Sequence, residues 1–299
     1  MTPPPATDRL DVRKTYKLYI GGAFPRSESG RSFVVDDARG QFWANASLAS
    51  RKDARDAVVA ARKAQPGWAA RTAYNRGQVL YRVAEVLEGR REQFVDEVAR
   101  GEGLTRRRAT AAVDQAVDRW VWYAGWADKV TQVVGSVNPV AGPYFNLSTP
   151  EPTGVVAVVA PQGSSLLGLV SVLAPVVVTG STAVVLASQR APLPAITLAE
   201  VLATSDVPGG VVNVLTGRVP EVAPWLASHA DVNALDLTGV DPVTHGEALA
   251  TELEASAAET LKRVRRPSDD GTTVWSADPG IERLRWTLEI KTVWHPMGI

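Results

Sequence analysis

An α/β fold with a parallel sheet buried on both faces is predicted by three features of the sequence. Val155–Val159, Ala183–Leu186, Val211–Leu215 and Val232–Leu237 are short, largely uninterrupted apolar runs. The stretches between them, Leu166–Val178, Pro194–Thr204 and Val219–Ser228, have helical character. Continuous apolar strands divided by helices are the pattern of βαβ units, whose sheet is covered on both sides. Upstream of Thr153 the apolar residues instead fall at helical spacing, so a helical segment precedes the sheet.

The elements follow in order. Lys17–Ile20, then Gly21-Gly22, then Ala23–Arg26 predict a short hairpin, because paired glycines supply the positive φ that tight hairpin turns need. Ser50 and Asp53 form an S-x-x-D capping pair that opens a helix over Ala54–Ala64. Val79, Leu80, Val83, Val86 and Leu87 lie at helical spacing within Asn75–Glu88, and Arg90–Arg100 continues in the same style. A long third segment, Ala109–Val130, carries Trp120, Trp122, Tyr123 and Trp126, and a packed helical face explains them better than a binding platform. Thr244 and Glu247 predict a cap for a helix running to Lys262. Arg265–Glu282, punctuated by Pro267, Gly271, Pro279 and Gly280, predicts an irregular linker. In the tail, Leu284, Trp286, Leu288 and Ile290 alternate with Arg285, Thr287, Glu289 and Lys291, the period-two signature of a strand. No hairpin partner lies beside it in sequence, so it must join a sheet made elsewhere, in this chain or another.

Composition removes several functions. Among 299 residues there is no cysteine, which excludes disulfides, thiolate metal sites and a cysteine nucleophile. A formal net charge of zero gives no basic surplus for nucleic acid. The N-terminus lacks the apolar core of a signal peptide, and Leu166–Val185 is too interrupted to span a membrane, so a cytoplasmic location is expected. His229, His245 and His295 are too scattered for a metal site. Ser164 or Ser165 with His229 lacks the G-x-S-x-G elbow of a serine hydrolase. Arg106-Arg107-Arg108 is expected to be a solvated helix start rather than an anionic-partner patch.

Eight segments, in order, together resemble the aldehyde dehydrogenase superfamily: KLYIGGAF, DAVVAARKAQPGW, RWVWYAGWADKV, EPTGVVAVVAP, AEVLATSDVPGGVVNVLTG, ASHADVNALDLTG, AAETLKRV and LEIKTVW. The resemblance covers most of residues 17–264 and resumes near 284. It implies a Rossmann-like nucleotide-binding-type domain and a small β oligomerisation sheet completed by the C-terminal strand. By that analogy, 1–16 form a flexible N-terminus, 17–134 the N-terminal helical part, and 135–150 the oligomerisation hairpin. Residues 151–264 form the βαβ domain, 265–283 a linker in place of the catalytic domain, and 284–299 the returning strand.

The resemblance also implies a degenerate site. The family turn A-P-W-N-F-P is matched at Pro161, Gln162 and Gly163, with glycine where the oxyanion-binding asparagine is expected. The nucleotide lysine falls at Leu186 or Ala187, depending on a one-residue alignment choice, and Val240 follows Gly239 where the family has serine. From these losses no bound cofactor is expected. The retained hairpin and terminal strand, by contrast, suggest assembly, with Val137, Tyr144, Leu284, Trp286, Leu288, Ile290, Lys291, Val293 and Trp294 at the interface. The expectation is a catalytically inactive subunit, a pseudoenzyme, in a hetero-oligomer with a full-length aldehyde dehydrogenase. A shared-site NAD-dependent aldehyde oxidoreductase subunit, a small-ligand or nucleotide sensor, and a gene product without a role are the alternatives.

Overall fold

The computed structural model describes residues 12–241, 247–267 and 273–298. Three β elements open the chain, β1 (Thr15–Tyr16), β2 (Ser32–Asp36) and β3 (Phe42–Ser47). They form a small sheet of order β1-β3-β2, so Thr15 and Tyr16, expected in a flexible terminus, are paired with Asn45 and Ala46. Five helices follow, α1 (Arg51–Ala69), α2 (Ala73–Gly89), α3 (Arg91–Glu102), α4 (Arg106–Trp126) and the short α5 (Val130–Val134). The expected capping pair at Ser50 and Asp53 is present as a reciprocal capping box. Trp120 and Tyr123 of α4 are fully buried, and Trp122 and Trp126 pack against the same core, as a packed face requires.

After β4 (Ser136–Asn138) and β5 (Tyr144–Pro152) comes the alternating unit: β6 (Val155–Val159), α6 (Leu167–Val178), β7 (Thr182–Leu186), α7 (Leu193–Ala203), β8 (Val212–Leu215), α8 (Val219–Ser228), β9 (Ala234–Asp236), α9 (Glu247–Ala258) and β10 (Arg263–Arg265). The expected cap residue Thr244 lies outside the described residues. The strands form a five-stranded parallel sheet of order β10-β9-β6-β7-β8. Successive residues of β6 face opposite cores. Val155, Ala157 and Val159 pack with α1, α8 and α9, whereas Val156 and Val158 pack with α2, α3, α4, α6 and α7. That two-sided burial is why the strands read as unbroken apolar runs. The Gly21-Gly22 turn, at φ +62° and +89°, lets Ile20 pair with Ala23, and Tyr19 bridges Val214 of β8.

The C-terminal segment departs from expectation. Glu282–Trp286 is a short helix, α10, and the strand β11 begins only at Leu288 and runs to Pro296. Leu284 is buried and Trp286 partly buried, both on the core formed by α4 and α6, and the Thr287 hydroxyl sits among the carbonyls of Pro175 and Leu284. A helical turn places Leu284 and Thr287 on one face, so both are buried where a strand would have alternated them. β11 then pairs antiparallel with β5 over nine positions, from Leu288↔Pro152 to Pro296↔Tyr144, in a sheet of order β11-β5-β4. Its partner therefore lies in this chain. No helix among the described residues is long and apolar enough to cross a membrane.

Candidate functional site

The strand order reverses beside β6, which has β7 on one side and β9 on the other. Open parallel sheets form their ligand crevice at such a point, outside the carboxyl ends of the strands. Pro161, Gln162 and Gly163 follow β6, Ala187 follows β7, and Gly239 and Val240 follow β9, so the six residues singled out in sequence gather at one edge.

Two glutamines lace that edge. Gln162 Nε2 donates to the Ala160 carbonyl (2.7 Å), and its Oε1 accepts the Gln189 N–H (2.9 Å). Gln189 Oε1 in turn accepts the Val219 N–H in the first turn of α8 (3.1 Å). The turns after β6, β7 and β8 are thus tied by side-chain amides. Ala187 is fully buried, with its N–H spent on Leu215. Gly239 donates to the Val159 carbonyl, and a Cβ there would stand 1.9 Å from the Ala160 oxygen, so the β9 turn lies directly on the β6 backbone. Val240 is buried beside it.

A cleft of about 520 Å³ opens above the turn, between Asp37 and Ala38 of the β2–β3 turn, the end of α3, and Gln162, Gly163 and Arg190. A Cβ at Gly163 would meet nothing within 4 Å, so this backbone is open to the cleft. Glu102 reaches in from α3, and its Oε1 accepts both the Ser165 N–H and the Ser165 hydroxyl at 2.7 Å. Burial pushes the Glu102 carboxyl above the ordinary glutamate range, against the pull of the two Ser165 bonds. Arg190 lines the same cleft as the open Gly163 turn, and a guanidinium is the side chain that pairs with phosphate oxygens. The lysine and serine side chains of the family pattern are absent here, so the groups this cleft offers an anion are the Gly163 backbone and Arg190, with Asp37 and Glu102 on the same walls.

Other sequence candidates are not brought together. Ser165 is bonded to Glu102, whereas His229 closes α8 and its Nδ1 accepts the Asp231 N–H. Arg106 pairs with Asp96 (2.7 Å) and Glu92, as a solvated helix start would. Sequence reasoning missed Glu102, Gln189 and Arg190, and it missed Asp236. That carboxylate ends β9 and pairs with Arg283 of α10 at 3.0 Å, with both side chains largely buried. The guanidinium of Arg283 also lies over the Trp275 ring, and Arg119 of α4 donates to the carbonyls of Trp275 and Ala277. The signal for Asp236 was available: it is a lone acid in the otherwise apolar run Val232–Leu237 apart from Asn233.

A parallel sheet with helices on both faces and a reversal of strand order defines the doubly wound α/β class. Within that class, the chain belongs to the aldehyde dehydrogenase family, whose description matches residues 24–265. It is 32% identical over 266 residues to retinal dehydrogenase 2 of Gallus gallus, covering 87% of this chain and 50% of that protein. It is 31% identical over 271 residues to aldehyde dehydrogenase, cytosolic 1 of Elephantulus edwardii, covering 88% and 51%. The chain thus spans about half the length of these relatives. Among solved structures it is similar to the NAD+ complex of an aldehyde dehydrogenase from Bacillus cereus, with TM-score 0.78, 27% identity, and coverage of 84% and 50%. It is equally similar to PnpE in complex with nicotinamide adenine dinucleotide, with TM-score 0.77, 27% identity, and coverage of 84% and 50%.

These neighbours overturn the expectation that no cofactor binds, because proteins of the same fold, matched over most of this chain, are NAD complexes. The physical reason lies in what was counted. The replacements at Gly163, Ala187 and Val240 remove polar side-chain groups, whereas the crevice of a doubly wound sheet is built from backbone turns that the fold keeps. The interface expectation also needs correction at three positions. Leu284 and Leu288 are buried in this chain's own core, and Trp286 packs against it, so they are not offered to a partner.

Proposed function

We propose that this chain is an aldehyde dehydrogenase-family subunit that holds NAD in the crevice at Gln162, Gly163 and Arg190, performs no aldehyde oxidation by itself, and assembles with a full-length aldehyde dehydrogenase. The observation that carries assembly is the sheet of β4, β5 and β11. Among the described residues its two outer strands, β11 and β4, each have one unpaired edge, and β11 is nine residues long. Val137, Leu147 and Val293 lie directly opposite one another across its three strands, and all three are exposed. Tyr144 and Trp294 meet edge to face on the other side, also exposed. Long edges with exposed apolar residues are features that soluble proteins cover. The absence of cysteine from all 299 residues supports the lack of independent turnover, because the family resemblance implies a cysteine nucleophile.

Co-expression with a full-length homologue from the same host, followed by size exclusion with light scattering, tests assembly. Calorimetric titration of NAD into the isolated chain tests the crevice. We expect co-elution, saturable NAD binding, and no NADH production by the isolated chain. Aldehyde turnover by the purified chain, or a stable monomer indifferent to the homologue, would overturn the proposal.

A further inference from the structure

A second cavity, sharing no lining residue with the crevice, lies on the outside of the opposite helical layer between the first turn of α1 and the end of α8. It encloses about 560 Å³, within the usual range of small-molecule sites. Its walls carry Arg51, Lys52 and Arg55 from α1, Trp225 and His229 from α8 and its C-cap, and Glu28.

The cations differ in how far they are neutralised. Arg55 is engaged by Asp56, which accepts from its Nε (3.0 Å) and Nη2 (2.8 Å). Lys52 lies 3.8 Å from the Glu28 carboxylate, which also accepts the Ser50 hydroxyl. Arg51 has no carboxylate partner among the described residues. Its guanidinium instead lies 4.2 Å from the ring centroid of Trp225, itself 40% exposed. A guanidinium over an indole is attracted by the ring quadrupole and keeps N–H donors that can pair with an anion.

This wall is built in advance. Asp53 is 4% exposed and gathers the neighbouring backbone: its carboxylate accepts the Ser27 hydroxyl (2.7 Å), the Glu28 N–H (3.2 Å) and the Ser50 N–H (2.8 Å). The loop bearing Glu28 is thereby fastened to the start of α1, fixing the cavity rim beside the three cations. Rim geometry set before binding reduces the ordering cost that a ligand must offset.

We propose that this cavity binds the phosphate of a small phosphomonoester, with Arg51, held over the Trp225 ring, as the principal anchor and Lys52 as a second cation. A phosphomonoester dianion matches an uncompensated, forked guanidinium better than a single carboxylate does, because it offers three acceptor oxygens. Glu28 lies on the same rim, 3.8 Å from the Lys52 ammonium, and can accept from a hydroxyl of the ester's organic part beside the phosphate. Zero net charge on the whole chain argues against a nucleic-acid strand as the occupant.

The test is calorimetric titration of ribose 5-phosphate into the full chain, with ribose as the uncharged control. We expect saturable one-site binding of the phosphate ester and none of ribose. Arg51→Ala, at an exposed helical position, should weaken binding by roughly tenfold or more, the loss of a charge-assisted pair. Lys52→Ala should weaken it less, and Gln162→Ala, in the crevice, should leave it unchanged. Circular dichroism melting of each variant separates loss of binding from loss of fold. Absence of saturable binding, wild-type affinity in Arg51→Ala, or loss of binding in Gln162→Ala, which would place the phosphate in the crevice, would each overturn the assignment.

Discussion

Arg283 and Asp236 show what one side chain can decide here. The pair has side-chain exposures of 14% and 2%, and Asp236 Oδ1 also accepts from the Thr238 N–H (2.9 Å) and hydroxyl. Removing the cation strands a buried carboxylate, so Arg283→Ala should cost about 3–5 kcal/mol. In urea this would appear as a lower midpoint with an unchanged slope. The double variant Arg283→Met/Asp236→Leu should recover much of that loss, and failure to recover would mean that α10 is held by something other than this pair. Glu97 makes a prediction of another kind. It is buried, with its Oε1 accepting from Thr197 (2.9 Å) and Gln93 (3.1 Å), while Oε2 has no partner among the described residues. Burial raises its carboxyl above the ordinary value. Because the folded state holds this proton more tightly than the unfolded chain, its contribution is greatest below the ordinary glutamate range. It is lost as pH rises through the folded-state value. Urea midpoints measured from pH 4 to 8 should therefore shift in favour of Glu97→Gln over wild type as pH rises, and the reverse trend would refute the assignment.

At the scale of elements, the two turns of the crevice should respond unequally to the same small change. Gly239→Ala drives a Cβ to 1.9 Å from the Ala160 oxygen and within 2.6 Å of the Val159 oxygen, so either β9 or β6 must move. Gly163→Ala meets open space. Thermal denaturation should show a loss of several degrees or failure to fold for Gly239→Ala, and a change within about 0.5 kcal/mol for Gly163→Ala, as at unconstrained surface sites. A comparable loss at both positions would mean that the turn after β6 is as tightly packed as its neighbour. Most elements were legible, because burial on one face or two leaves a periodicity that a sequence carries directly. Val219–Ser228 has the same limits in both readings, and α6 and α7 start within one residue of expectation. The exceptions were set by remote contacts. α1 continues through Pro66 to Ala69, where the Trp68 indole donates to the Val177 carbonyl (2.8 Å) and ties the last turn to α6. Leu284–Trp286 alternates like a strand yet forms a helical turn, because a buried face on α6 was waiting for it.

On the scale of the whole molecule, the β4–β5–β11 sheet would separate folding from the proposed assembly. Ile290, Val293 and Trp294 are 53%, 42% and 59% exposed, so charged replacements there should leave the stability of the chain nearly unchanged. Val293→Lys, placed in the middle of the apolar row with Leu147 and Val137, should abolish co-elution with a full-length homologue while the urea midpoint stays within about 0.5 kcal/mol of wild type. Retained co-elution would move the interface elsewhere. By itself the sequence determined the two-sided parallel sheet, the helices that cover it, the capping box at Ser50 and the family, because each is written in local period or local motif. Only the tertiary structure decided that β11 completes a sheet begun by β5, that Arg283 answers Asp236, that glutamines lace the crevice, and that Arg51 stacks on Trp225. Each of these joins residues far apart in the chain, and no local pattern encodes a contact whose two halves meet only after the sheet has formed.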